Sequence, residues 1–248
     1  MLTEVWKIYT YQTVESTMDQ AAQLIGQEDQ FAVLAYDQTK GRGRYDRQWV
    51  SLTGNLYTTL AFKPSQPCHT WGQISFVAAL AVGEVIQHYL SKSQTSQKIS
   101  YKWPNDLLIA GHKVSGILLE IINSSWLLVG VGINLQDSPI GEKYLSTSLR
   151  EIGSEAPLLE EALSLLTKYF VAKMNILEDK GFPEIRRNWL KAAACLGEEI
   201  EVTLRKQEMF EKIKGKFIDL DEEGRLLLEL PNKEVKKISS GDVFLLRD

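Results

Sequence analysis

Apolar positions along the chain follow two rhythms, one of period two and one near 3.6, and the switches between them lay out the elements. Residues 6–11, Trp6-Lys7-Ile8-Tyr9-Thr10-Tyr11, alternate as a strand does. Glu15-Ser16-Thr17-Met18-Asp19 then opens a helix, with hydroxyls able to cap backbone N–H groups and with Ala21, Ala22, Leu24 and Ile25 as its apolar face. Residues 31–36 predict a strand that runs into a polar, glycine-containing loop at 37–47, and residues 54–62 predict a further strand. Between 74 and 90, Phe76, Val77, Leu80, Ala81, Val85 and Ile86 recur at helical spacing. From 99 to 135 the pattern is a β-meander, with strands at 99–103, 107–110, 114–122 and 126–135. Its turns lie at Pro104-Asn105-Asp106, Gly111-His112-Lys113 and Asn123-Ser124-Ser125. Helices are predicted at 158–178 and 183–194. After Leu196-Gly197 the texture changes to short strands at 199–204, 214–220 and 225–230, separated by charged turns. That pattern suits a small barrel, so a boundary near 195 divides the chain into 1–194 and 195–248.

Composition narrows the class. Hydrophobic residues make up 44% and charged residues 24%, which supplies a sizeable core and excludes disorder, fibre and coiled coil. A length of 248 residues suits one large domain or one domain with a small companion. The uninterrupted apolar runs fall short of a membrane span and the first residues lack a basic, apolar leader, so a soluble, cytoplasmic protein is expected, with no membrane partner. Cys68 and Cys195 cannot build a disulfide framework and do not sit at metal-ligand spacing. With 28 Lys and Arg against 32 Asp and Glu, the net charge of −4 argues against a protein that coats nucleic acid.

Against that acidic background the segment Gln38-Thr39-Lys40-Gly41-Arg42-Gly43-Arg44-Tyr45-Asp46-Arg47-Gln48-Trp49 crowds together Lys40, Arg42, Arg44 and Arg47. Gly41 and Gly43 let backbone approach a ligand, and guanidinium forks grip carboxylate or phosphate oxygens in pairs. The spacing matches neither a Walker loop nor the GxGxxG fingerprint. Left without an anion, such a loop is expected to lack a single conformation. Lys102-Trp103-Pro104-Asn105-Asp106 ends a strand with a cation, an amide and a carboxylate around a stiffening proline. A hairpin of the predicted length returns Lys113 toward Asp106. Gly130 and Gly132 in Val129-Gly130-Val131-Gly132-Ile133-Asn134-Leu135 weaken a strand and mark the close approach of a ligand. Taken singly, each segment also reads as an ordinary solvated loop, turn or strand.

Taken in order, GRGR with Trp49, KWPND, GHKVSGILLE and GVGINL resemble biotin protein ligases across about residues 15–135. The resemblance implies an α+β fold: a mixed, largely antiparallel sheet with helices on one side, followed by a small SH3-like β-barrel. It implies that biotin and MgATP give biotinyl-5′-AMP and pyrophosphate, and that the anhydride then acylates a lysine of a biotin carboxyl carrier protein domain. Biotin would be held by Ser16, Thr17, Gln38, Gly41, Arg42, Arg44, Lys113 and Gly116, with Ser16, Thr17 and Gln38 on its ureido head. ATP and adenylate would be held by Arg44, Arg47, Trp49, Asn105, Lys113 and Asn134, with Trp49 stacked on adenine and Asn134 at its edge. Lys113, Arg42 and Asp106 would be catalytic, Arg42 and Lys113 lying nearest the reacting carboxylate and α-phosphate. For Asp106 three roles stay open: receiving the carrier lysine, orienting Lys113, or touching magnesium through water. Direct Mg2+ ligands are not assigned. The pattern begins near residue 10, so a monofunctional enzyme without a DNA-binding domain is expected, as monomer or homodimer. The competing readings are a lipoate or octanoate ligase or transferase of the same fold, for which Cys68 beside His69 is the tempting thiol, and a nucleotide-binding module.

Overall fold

The computed structural model describes residues 2–93, 97–140, 145–206 and 209–245. The first strand, β1 (Lys7–Val14), is linked through helix α1 (Thr17–Leu24) to β2 (Gln30–Gln38), which lies parallel to it. Ser16 starts the helix from extended backbone, and its hydroxyl accepts from the Met18 N–H at 3.2 Å. Strand β3 (Leu56–Phe62) pairs antiparallel with β2, and helix α2 (Ile74–Lys92) follows. The meander comes next: β4 (Ile99–Lys102), β5 (Asp106–Ile109), β6 (His112–Ile122) and β7 (Trp126–Ile133). Because β7 returns to pair with β3, the seven strands stand in the order β1-β2-β3-β7-β6-β5-β4, antiparallel after the first pair.

Both faces of the sheet's centre are covered. Ala32 and Leu34 of β2 and Leu60 and Phe62 of β3 join the core formed with α2 and with helix α3 (Leu159–Lys180). Their neighbours Phe31, Val33 and Ala61 face the other way, under α1 with Met18, Ala21 and Leu24. The long helices thus lie on one face and the short α1 on the other. Burial on both sides explains why these strands read as continuous apolar runs and not as alternation.

Helix α3 stops at Gly181, whose φ of 71° an L side chain resists, and Pro183 opens α4 (Phe182–Leu190). Helix α4 ends four residues before its predicted limit of 194. The backbone of 192–194 is drawn off to β4, where the Tyr101 N–H donates to the Ala192 carbonyl at 2.8 Å and the Ala194 N–H to the Tyr101 carbonyl at 2.7 Å. That pairing covers an otherwise open sheet edge. With the 3₁₀ turn before it, α2 is long and apolar enough by composition to cross a membrane, and 72% of the window is buried in the protein.

The second sheet contains β8 (Glu199–Lys206), β9 (Met209–Leu220), β10 (Leu226–Glu229), β11 (Val235–Ile238) and β12 (Asp242–Leu245), in the antiparallel order β11-β10-β9-β8-β12. Strands β11 and β12 have no counterpart in the sequence reading. Ile200, Val202, Phe217, Leu226 and Val243 continue the same apolar cluster as α2 and α3. At the junction the Trp103 indole donates to the Gly224 carbonyl at 3.0 Å, and Arg186 pairs with Asp219.

Candidate active site

The start of α1, the 38–49 loop, the 102–106 corner, the glycine-bearing stretches of β6 and β7, and the first residues of β12 enclose a cavity of about 230 Å³. At one end the chemistry is neutral. Gln38 accepts through Oε1 from the Thr17 N–H at 2.9 Å and from its hydroxyl at 3.1 Å, and donates through Nε2 to the Ser51 hydroxyl at 3.2 Å. The Thr59 hydroxyl donates to that of Thr17 at 2.9 Å. Ser16 and Thr17 are buried, so this end offers small donors and acceptors that an enclosed polar ligand needs.

The floor is bare backbone. Gly116 and Gly132 stand opposite each other across β6 and β7, and the Trp49 indole packs against the pair. A Cβ at Gly132 would sit 2.5 Å from the ring, and one at Gly116 would sit 2.7 Å from it. The Trp49 Nε1–H is buried with no hydrogen-bond partner, a donor that a ligand could satisfy. Nζ of Lys113 lies 5.3 Å from the ring centroid, within cation–π range.

Five cations, Arg42, Arg44, Arg47, Lys102 and Lys113, line the cavity against two carboxylates, Asp106 and Asp242, so the site favours an anion. The β5–β6 hairpin brings Nζ of Lys113 to 2.6 Å from Oδ1 of Asp106. The angles there miss hydrogen-bond geometry, and Oδ1 is buried without a hydrogen-bond partner. Asn105 is fixed by its Nδ2 on the Ile117 carbonyl at 2.7 Å and accepts from Arg44 at 3.4 Å. Burial pushes the Lys102 ammonium down from its ordinary pKa, nearby Lys113 adding to the fall and Asp106 opposing it.

Within the basic loop the protein supplies its own anions. Lys40 pairs with Glu15 at 2.8 Å, and Arg47 forks onto Asp242. Arg42 donates through Nε and Nη2 to the two oxygens of Glu120, each at 2.9 Å, and through Nη1 to Asp19 at 2.5 Å. The Glu120 hydrogen bonds, with Asp19 beside them, push the Arg42 guanidinium up from its ordinary pKa. The loop is further closed on itself by Gly43 N–H to the Arg47 carbonyl at 2.7 Å and Trp49 N–H to the Gly41 carbonyl at 2.8 Å.

Of the residues singled out from sequence, Ser16, Thr17, Gln38, Arg42, Arg44, Arg47, Trp49, Asn105, Asp106, Lys113 and Gly116 all line this one cavity. Gly41 and Asn134 do not. Gly41 lies behind Gln38, where a Cβ would be 3.1 Å from Nε2. Asn134 is buried past the end of β7, with Nδ2 on the Thr147 carbonyl at 3.1 Å. Lys102, Met18, Tyr57, Asp242 and Val243 line the cavity without having been assigned, as do the glycines at 130 and 132. Lys102 and Glu120 sit inside the motifs themselves, whereas nothing in the local sequence marks Asp242.

Residues 9–135 match the model of the biotin/lipoate A/B protein ligase family, and 195–246 match that of the biotin protein ligase C-terminal domain. The chain is 35% identical over 214 residues to biotin–[acetyl-CoA-carboxylase] ligase of Paracoccus denitrificans, covering 80% of this chain and 84% of that protein. It is 32% identical to the bifunctional ligase/repressor BirA of Bacillus subtilis, covering 86% of this chain and 65% of that protein. Among solved structures, the biotin protein ligase from Aquifex aeolicus in complex with biotin and ATP superposes with a TM-score of 0.81 at 30% identity, covering 98% of this chain and 99% of that one.

Proposed function

The chain belongs to the biotin/lipoate A/B protein ligase family, and from that premise we propose that it activates biotin with ATP to biotinyl-5′-AMP and transfers the biotinyl group to a lysine of a biotin carboxyl carrier protein domain. The observation that carries the reading is the polarity of the cavity: a neutral hydrogen-bonding end at Thr17 and Gln38, a bare glycine floor, and a cationic end at Arg44, Arg47, Lys102 and Lys113. Biotin has the same polarity, with a neutral ureido head, an apolar body and a carboxylate that must meet the α-phosphate of ATP. The match of the tail to the biotin ligase C-terminal domain supports biotin over lipoate.

In the first step a carboxylate oxygen of biotin attacks the α-phosphorus and pyrophosphate leaves. Two anions must be brought together, so fixed positive charge is the main requirement. Lys113, over the floor beside Gly116, faces the reacting centre, while Arg44, Arg47 and Lys102 hold the phosphates that leave. Arg42, held by Glu120 and Asp19 at the base of the loop, joins Lys113 beside the reacting carboxylate and α-phosphate. Trp49 covers the floor and excludes water from the anhydride. Magnesium would be held chiefly by the nucleotide's phosphates, whose charge it would neutralise, with Asp106 or Asp242, the two carboxylates of the cavity, within reach of its water shell.

In the second step the carrier lysine loses its proton and its amine attacks the anhydride carbonyl, releasing AMP. Asp106, whose Oδ1 lies 2.6 Å from Nζ of Lys113 without hydrogen-bond geometry, is the carboxylate that would receive that ammonium. The partner is a carrier domain, and the setting is cytoplasmic. Incubation with ATP, magnesium and labelled biotin should release pyrophosphate only when biotin is present and label a carrier domain when one is added. Equal turnover with lipoate or octanoate would overturn the assignment to biotin.

A further inference from the structure

Three cations of the cavity wall, drawn from two segments far apart in sequence, meet one corner of the second sheet. Arg44 donates through Nη1 to the Gly241 carbonyl at 3.2 Å. Arg47 donates through Nη1 to Oδ1 of Asp242 at 3.1 Å and through Nη2 to Oδ2. Nζ of Lys102 lies 5.6 Å from the centroid of the Phe244 ring.

The corner itself is held firmly. Asp242 and Val243 pair with Thr203 and Val202 on β8. A Cβ at Gly241 would meet a Val202 methyl at 2.9 Å and the Thr203 carbonyl at 3.1 Å, so the backbone lies tight against that strand. The Asp242 side chain is 17% exposed and lines a cavity whose charge is mostly positive. A carboxylate in a two-pronged grip on arginine offers the same pair of oxygens that a phosphate does.

We propose that Asp242 is a positioning residue that holds the Arg47 guanidinium in the cavity as a stand-in for phosphate, and that the nucleotide's triphosphate takes Arg47 over from it. Binding the nucleotide then costs the Arg47–Asp242 pair and exchanges that part of the 43–47 turn's hold on the second sheet for a hold on phosphate, which couples that sheet to occupancy of the site. The identity of the anion rests on the ligase reading, whereas the competition for Arg47 requires only an oligophosphate.

The test uses the full-length chain as wild type, Asp242→Asn and Asp242→Glu. Asparagine keeps the size and removes the charge; glutamate keeps the charge. Two quantities are read: tryptic cleavage in the 40–47 loop with and without inorganic pyrophosphate, and KM and kcat for MgATP in biotin-dependent pyrophosphate exchange. For Asp242→Asn, cleavage of the unliganded loop should accelerate and pyrophosphate should protect at lower concentration. KM for MgATP should fall by about two- to five-fold, the range of a partly exposed ion pair, with a smaller change in kcat. Asp242→Glu should keep the wild-type pattern. A KM that is unchanged or raised in Asp242→Asn overturns the proposal. So does equal thermal destabilisation of both variants with no change in KM, which would make Asp242 a structural strut. Wild type lacking biotin-dependent exchange would instead overturn the ligase reading, and pyrophosphate protection would still report on the grip of Asp242.

Discussion

At the scale of single residues, the Lys113–Asp106 pair divides the two half-reactions. Lys113 supplies charge where two anions meet, so Lys113→Ala should cut biotin-dependent pyrophosphate release by about two orders of magnitude or more, the size of a lost preorganised donor. Asp106→Asn keeps the size but replaces the charged carboxylate with a neutral amide, so the anion that receives the carrier ammonium is lost. It should slow transfer from preformed biotinyl-AMP more than it slows adenylate formation, and equal losses in single-turnover assays of the two steps would refute that role. Lys102 gives a pH dependence whose sign is set by burial. Its ammonium is easier to deprotonate than an ordinary lysine's, so as pH rises through that lowered pKa the cavity loses a positive charge and phosphate binding weakens. KM for MgATP should climb on the alkaline side, and Lys102→Arg, which stays charged, should flatten the climb. A profile in which the arginine variant rises in parallel would exclude Lys102 as the titrating group. These residues were legible because they cluster in short motifs. The partners that neutralise them were not: Arg42 meets Glu120 across 78 residues and Arg47 meets Asp242 across 195, and no local pattern encodes either pairing.

At the scale of elements, the strands and helices with strong periodicity appear where the sequence put them, within a few residues. Helix α2 and strands β2 and β3 declare themselves by apolar density, because each is buried on nearly every side. Strands β11 and β12 escaped notice. The first, Val235-Lys236-Lys237-Ile238, is short and interleaved with charge, and the second begins with the aspartate that grips Arg47. The two glycines of β7 were read as sites of close approach; the chain's own Trp49 approaches Gly132, and Met18 approaches Gly130. Gly132→Ala therefore places a methyl against the indole in a strand that tolerates alanine well. Overpacking of about 1–3 kcal/mol falls on the closed position of Trp49 and not on the sheet, so KM for MgATP should rise about tenfold or more while Tm changes little. A large fall in Tm with normal KM would locate the strain in the strand and remove Trp49 from the binding surface.

At the scale of the whole molecule, the two sheets share one apolar core. Phe76 of α2 and Phe182 of α4 touch at ring centroids 5.4 Å apart, and Gly224 of the second sheet's turn closes over them. Gly224 has a φ of 79°, and a Cβ there would lie 2.5 Å from the Phe76 ring, while its carbonyl accepts from Trp103. Hydropathy could mark the change of texture at 195, but it could not show that Phe217, Leu226 and Val243 are buried in the same cluster as α2 and α3. A shared core makes the two parts unfold together, so far-UV circular dichroism and tryptophan fluorescence should give coincident melting curves. Gly224→Ala combines an unfavourable backbone with overpacking, together about 2–4 kcal/mol, and should lower that single Tm by about 5–15 °C. A second transition left at the original temperature would instead identify the tail as an independent unit. The same substitution should reach the active site before the protein melts. Loosening the junction moves Gly241 and Asp242 away from Arg44 and Arg47, so the 40–47 loop should become more sensitive to trypsin well below Tm, even though Gly224 lines no part of the cavity.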